Sequence, residues 1–205
     1  MKPYLKFNSA DTNIFFTSDL HFGHKNIIEF CKRPFSSVEE MDETLIANWN
    51  SKIGVNDIVF DLGDFAFAPN WRWIELIGRL NGKHHLILGN HDVSRFPGDK
   101  VMSLFDSISY QMLIKIDDRY IYLNHYPFLC YAGTYGDNNT YQLFGHVHTN
   151  PRINTGRDKD RLVNLFPFQY DVGVDNNNYA PISWEEVDII IKNQICQQKN
   201  ISVTG

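Results

Sequence analysis

Three apolar runs in the first half of the chain each stop in a short cluster of Asp, Asn and His. Ile14 to Thr17 leads into Asp19 and His21 of SDLH, IVFDLGD from Ile58 ends at Asp64, and HLILGNHD from His85 ends at Asn90, His91 and Asp92. Short apolar runs closed by Gly or Asp read as buried strands. Helical patterns lie between them. In SVEEMDETLIANWN, Ser37 and Glu40 form a capping box, and NWRWIELIGRL starts at an Asn70 N-cap and ends near Gly82. The order is β, α, β, α, β, and in open α/β sheets the carboxyl edge is where sites are built.

The second half reads differently. ISYQMLIKI, a turn at Asp117 and Asp118, YIYLNHYP, YQLFGHVHT and LVNLFPFQYDVGVD follow one another with little helix, until SWEEVDIIIKNQIC supplies a last helix capped by Ser183. The expected architecture is layered α/β: two sheets face to face with helices outside, in one domain spanning residues 1–205. YAGTYGDNNT from Tyr131 and NPRINTGRDKDR from Asn150 are expected surface loops.

Composition narrows the functional classes. The 43% hydrophobic content suits a sizeable core, and a formal net charge of −5 gives no basic stripe for an extended nucleic acid. No run approaches the roughly 20 apolar residues of a membrane span, so a cytoplasmic protein with no membrane partner is expected. Cys31, Cys130 and Cys196 lack the paired spacing of a disulfide framework and read as reduced, structural thiols.

The strand-end residues carry the chemistry. Asp19 and His21 stand two apart beyond a strand, so the pleat sends both side chains to one side. Asp64 follows Gly63 at the end of the second strand, and His125 follows YIYLN. His146 and His148 in GHVH aim two imidazoles at one place. A mixture of carboxylate, amide and imidazole suits Mn, Fe, Zn or Ni better than Ca or Mg.

The ordered set D-x-H, G-D, G-N-H-D, H and G-H-x-H, from Asp19 to His148, resembles the calcineurin-like metallophosphoesterase superfamily. The resemblance implies a double β-sandwich flanked by helices and a centre of two divalent transition metals, manganese foremost. Asp19, His21, Asp64 and His148 would hold one ion; Asp64, Asn90, His125 and His146 would hold the other, with Asp64 bridging. Two divalent cations outweigh two aspartates and a hydroxide, leaving a positive centre for an anionic phosphoryl group, on which a metal-activated hydroxide attacks. Asp64 and His91 are then the catalytic residues, His91 as proton donor to the leaving group.

The chain departs from the family where many members carry G-D-x-x-D, whose last Asp orients the histidine of G-N-H. Here GDFAF has Phe67 at that place, leaving Asp92 or Asp61 as substitutes. Without an orienting carboxylate, activity should favour phosphodiesters or esters with good leaving groups. The expected function is therefore hydrolysis of small phosphodiesters, nucleotides or cyclic nucleotides among them. A monoesterase, a nuclease and a non-catalytic scaffold are the alternatives. His24, Asn90, His91 and Arg95 are the candidate substrate-binding residues, with Trp71, Arg95, Tyr131 and Arg152 as pocket walls. His84 and His85 read as structural, and Asp171 and Asp175 as loop anchors.

Overall fold

The computed structural model describes residues 4–133, 140–150 and 163–203. Arg152, expected as a pocket wall, lies outside them. The elements are β1 (Leu5–Phe7), β2 (Ile14–Thr17), α1 (Lys25–Phe30), α2 (Val38–Lys52), β3 (Ile58–Asp61), α3 (Asn70–Arg79), β4 (Lys83–Ile87), α4 (Asn90–Ser94), α5 (Asp99–Met102), β5 (Ser107–Ser109), β6 (Gln111–Ile116), β7 (Arg119–Asn124), β8 (Thr140–Phe144), β9 (Gln169–Asp171), β10 (Ile182–Ser183) and α6 (Trp184–Val203).

Among the described residues the strands form two five-stranded mixed sheets, ordered β10-β2-β3-β4-β5 and β1-β6-β7-β8-β9. Alternation along the strands explains the layering. Ile14, Phe16, Phe60 and Ile87 share one core with Ile114, Ile121, Leu123 and Leu143 of the other sheet. The intervening residues Phe15, Val59 and Leu86 share a second core with Met41, Leu45 and Trp49 of α2 and with Trp73, Leu76 and Ile77 of α3. Opposite faces of one pleated strand thus serve two layers, and each fully buried large side chain contributes ~1.5–3 kcal/mol of transfer free energy. The expected double sandwich with outer helices is the observed one.

Local chemistry explains the helix ends. The Ser37 hydroxyl accepts the Glu40 amide at 3.1 Å, while the Glu40 carboxylate returns to the amide of Ser36 rather than Ser37. At α6 the box is reciprocal: Ser183 Oγ accepts the Glu186 amide and the Ser183 amide reaches the Glu186 carboxylate at 2.9 Å. Helix α3 starts one residue earlier than expected, with Pro69 rather than Asn70 as N-cap, and the Asn70 side chain donates instead to the Pro97 carbonyl. Helix α4 was not expected: one turn of helix begins directly at Asn90.

The topology then prepares a site. β2, β3 and β4 run parallel in one sheet, and β7, β8 and β9 run parallel in the other. The segments leaving their carboxyl ends carry Asp19 and His21, Asp64, Asn90 and His91, His125, and His146 and His148. The loops after β3 and β4 touch backbone to backbone, which requires glycine: a Cβ on Gly63 would lie 2.3 Å from the Gly89 nitrogen.

Candidate metal centre

The structure brings the side chains of Asp19, His21, Asp64, Asn90, His125, His146 and His148 to this shared edge. Ligand atoms of Asp19, His21 and His148 lie within 4.8 Å of one another, as do those of Asp64, His125 and His146. Asp64 joins the two groups, since its Oδ2 stands 3.6 Å from His21 Nε2 and 3.5 Å from His125 Nε2. Asn90 Oδ1 stands 3.2 Å from the same His125 nitrogen.

Five of these side chains are aimed by a second contact. Asp19 gives one oxygen to the His146 amide at 2.8 Å, and Asp64 gives one to the His91 amide at 2.8 Å, so each keeps the other oxygen in the cleft. His125 donates Nδ1–H to the Leu62 carbonyl, and His148 meets the Asp175 carboxylate through Nδ1, both at 2.8 Å. A carbonyl and a carboxylate only accept, so both imidazoles carry a proton on Nδ1 and turn Nε2 inward. His21 Nδ1 pairs with His24 Nδ1 at 3.1 Å, which again leaves Nε2 facing the cleft. Histidines held at one nitrogen with the other free are the usual support of a metal ligand.

The cleft fits a cation. Asp19 Oδ1 and His21 Nε2 are buried and have no hydrogen-bond partner among the described residues. Asp19 Oδ1 lies 3.9 Å from His21 Nε2 and 3.7 Å from His148 Nε2. Donors ~2.1 Å from a shared ion at tetrahedral angles lie ~3.4 Å apart, so these gaps are too long for hydrogen bonds and near the spacing of ligands around one ion. Buried lone pairs facing one another without a proton or cation between them are costly. Burial raises the Asp64 carboxyl to about 7, with His125 opposing. Burial holds His21 well below the ordinary imidazole value. In His148, burial acts downward too, but facing Asp19 and Asp175 carry it well up.

The backbone contributes what pleat alternation does not. Asp19, His21, Asp64, His146 and His148 all have positive φ, between 48° and 67°. A non-glycine residue there is uncommon, at a cost of ~1–3 kcal/mol each, and persists only where its surroundings hold it. The holding contacts are explicit. The Asp19 amide donates to the Gly63 carbonyl and the His21 amide to the Asp64 carbonyl, both at 2.9 Å. The left-handed turns, not the pleat, bring Asp19 and His21 to the same side.

Sequence reasoning missed Arg33 and gave Asp175 only an anchoring role. Arg33 is buried, makes a bidentate pair with Asp175 at 2.9 and 2.8 Å, and also donates to the Asp19 carbonyl at 2.7 Å. Asp175 therefore links His148 to a buried cation. The available signal was its place just past β9, the same carboxyl edge that supplies the other residues. Asp171 is an anchor: it accepts the Thr149 and Gly173 amides. The Cys31 thiol lies beside His148 and Asp175.

His91 stands at the rim, Nε2 3.9 Å from Asp64 Oδ2. Neither substitute orients it. The Asp92 carboxylate accepts the amides of Asp64, Phe65 and Gly89, because α4 turns it back toward the sheet. Asp61 accepts the Gly63 amide. The His91 ring has the His21 ring edge to face at 5.2 Å on the cleft side and Phe67 edge to face at 5.7 Å. His24 is buried with its ring stacked on Phe67 at 4.2 Å and makes no cap bond to α1, so it lies behind His21 rather than capping the helix. Arg95 is exposed at the rim and lies over Phe67. Tyr131 sits in the sandwich core and Trp71 is exposed on α3, while Tyr126 packs against His125 and His146. His84 stacks on Trp49 and His85 on Phe60, both structural.

The calcineurin-like phosphoesterase family model matches residues 12–191, which include every residue of this edge. The chain belongs to the calcineurin-like phosphoesterases. As a member, it is a metal-dependent phosphoester hydrolase of a family that works with a dinuclear metal centre. Similar proteins include an uncharacterized protein of Methanocaldococcus jannaschii, 37% identical over 185 residues, covering 87% of this chain and 89% of that one. The Gene 66 protein of Mycobacterium phage L5 is 42% identical over 84 residues, 40% of each chain. A crystal structure of a protein of unknown function from Aquifex aeolicus superposes with a TM-score of 0.67 at 26% identity, covering 87% of this phosphoesterase and 99% of that chain. Among the described residues no helix is long and apolar enough to cross a membrane.

Proposed function

We propose that this phosphoesterase hydrolyses small phosphodiesters, nucleotides or cyclic nucleotides among them. Asp19, His21, Asp64 and His148 hold one manganese-class ion and Asp64, Asn90, His125 and His146 the other. When bound, the ions supply Lewis acidity toward phosphoryl oxygens and acidify a water. The residues around them do the rest. Asp64 keeps the two halves in register, neutral Asn90 avoids a third negative charge, and Asp175 and Leu62 hold the histidine lone pairs inward.

The observation that carries the diester reading is Phe67 beside His91. A proton donor for a poor leaving group is best served by a carboxylate that orients its imidazole and favours its charged form. His91 has an aromatic edge instead, and burial with Arg95 nearby lowers its pKa. Diesters and esters with stable leaving anions depend least on that proton.

The test is direct. Protein loaded with Mn²⁺ should contain two ions per chain and cleave bis(p-nitrophenyl) phosphate with higher kcat/KM than p-nitrophenyl phosphate. Cleavage of the monoester alone would reject the diester preference. Fully metallated protein inert toward both would make the chain a scaffold.

A further inference from the structure

Phe67 has a second consequence, on its other face. The Arg95 guanidinium carbon lies 3.5 Å from the Phe67 ring centroid, while the His24 ring stacks on Phe67 at 4.2 Å and 14°. Two planar groups at those distances cannot share one face of a phenyl ring, so Phe67 is sandwiched between them. His24 is buried, which anchors the ring from within, and Arg95 covers its outer side. Arg95 closes α4 one turn after His91, its amide donating to the His91 carbonyl at 3.0 Å, and both side chains meet Phe67. Among the described residues Arg95 forms no ion pair. Arg33, Arg72 and Arg79 each meet a carboxylate. An exposed guanidinium held flat by a ring, next to a metal centre, is a preorganised anion site.

We propose that Arg95, held on Phe67, is a specificity-determining residue that binds the leaving group of the substrate, and that the preferred diesters are phosphoanhydrides, whose leaving group is itself a phosphate. The proposal rests on the diesterase reading above. Its chemistry matches both features of the rim. Water adds to one phosphorus and releases its proton to solvent. The bond from that phosphorus to the bridging oxygen breaks, and the oxygen departs with the electron pair as a phosphomonoester. A phosphomonoester has a second pKa near ~6 and leaves without being protonated, whereas an alkoxide does not. A guanidinium gives fixed charge and no proton. Phe67, which stands where an orienting carboxylate for His91 is expected, therefore also builds the platform for the residue that replaces its service.

Mn²⁺-loaded wild-type, R95A and F67L proteins should be assayed on ADP-ribose, a phosphoanhydride diester, and on bis(p-nitrophenyl) phosphate. R95A is expected to lose about 10- to 100-fold more kcat/KM on ADP-ribose than on the nitrophenyl diester. F67L, which removes the platform and keeps the charge, should show part of the same selective loss. Calorimetric titration reads binding without turnover: R95A should weaken α,β-methylene-ADP about tenfold more than it weakens AMP. Equal losses on the two substrates, or equal weakening of the two nucleotides, would overturn the assignment. Wild-type protein that cleaves the nitrophenyl diester but not ADP-ribose sinks this proposal alone; failure on both sinks the diesterase reading with it.

Discussion

The floor of the cleft and its rim are built on opposite plans. On the floor, Asp19, Asp64, His125 and His148 each spend one polar atom on a protein partner and present the other to the centre. At the rim, among the described residues, no carboxylate is hydrogen-bonded to the His91 ring to orient it, and Phe67, His24 and Arg95 form a stack beside it. The floor is over-determined, as a shared catalytic centre requires. The rim departs from the family pattern, and it is there that substrate choice is open to change.

The sharpest way to break this contrast is Asp64→Ala. Loss of the carboxylate that touches both halves should leave fewer than two ions per chain and cost activity well beyond the ~10- to 100-fold typical of a supporting residue. Metal analysis beside a bis(p-nitrophenyl) phosphate assay checks it. Retention of two ions would mean the halves are independent.

Asp175→Ala tests the support beneath the floor. His148 loses its Nδ1 partner and Arg33 is left buried without a carboxylate. Metal affinity should fall ~10- to 100-fold, and stability by ~3–5 kcal/mol, read by metal titration and urea unfolding. Asp175→Asn should recover part of the affinity. Unchanged metal binding in the Ala variant would reduce Asp175 to a structural anchor.

Phe67→Asp asks whether the rim alone sets the need for a good leaving group. Giving His91 a carboxylate should raise turnover of alkyl phosphoesters by roughly tenfold, and His91→Ala in that background should abolish the gain, with both ions retained. No gain would place the determinant elsewhere.

The smallest effect concerns Asp171, whose carboxyl burial raises to about 7. With the folded value above the ordinary ~4, its contribution is fully present below pH ~4 and lost as pH rises through 7. Asp171→Asn keeps the uncharged form, so in chelator its stability relative to wild type should rise by ~1–3 kcal/mol between pH 4 and 8. Urea midpoints across that range measure it. A flat difference would show that the Thr149 and Gly173 amides offset the burial cost.

Much of the fold was legible because its signals are short-ranged. β2 appears at Ile14–Thr17 as read, the Asp117 turn joins β6 to β7, and Ser183 caps the last helix. Helix α4 was missed because five residues are too few to show a period, and with it the backward turn of Asp92 onto the β3 loop. Tyr131 read as a pocket wall from its Gly-rich surroundings, but it packs among Tyr122, Phe128 and Phe168.

The order of strands, the residues at their carboxyl ends and the odd Phe67 are properties of the chain read in one dimension, since each depends on neighbours a few residues away. Which nitrogen of each histidine faces inward, which oxygen of Asp19 stays free, and the pairing of Arg33 with Asp175, 142 residues apart, were decided only when two sheets met. Those contacts join segments with no local signal for one another. Their energy comes from burying charge and lone pairs together, which no single segment can do alone.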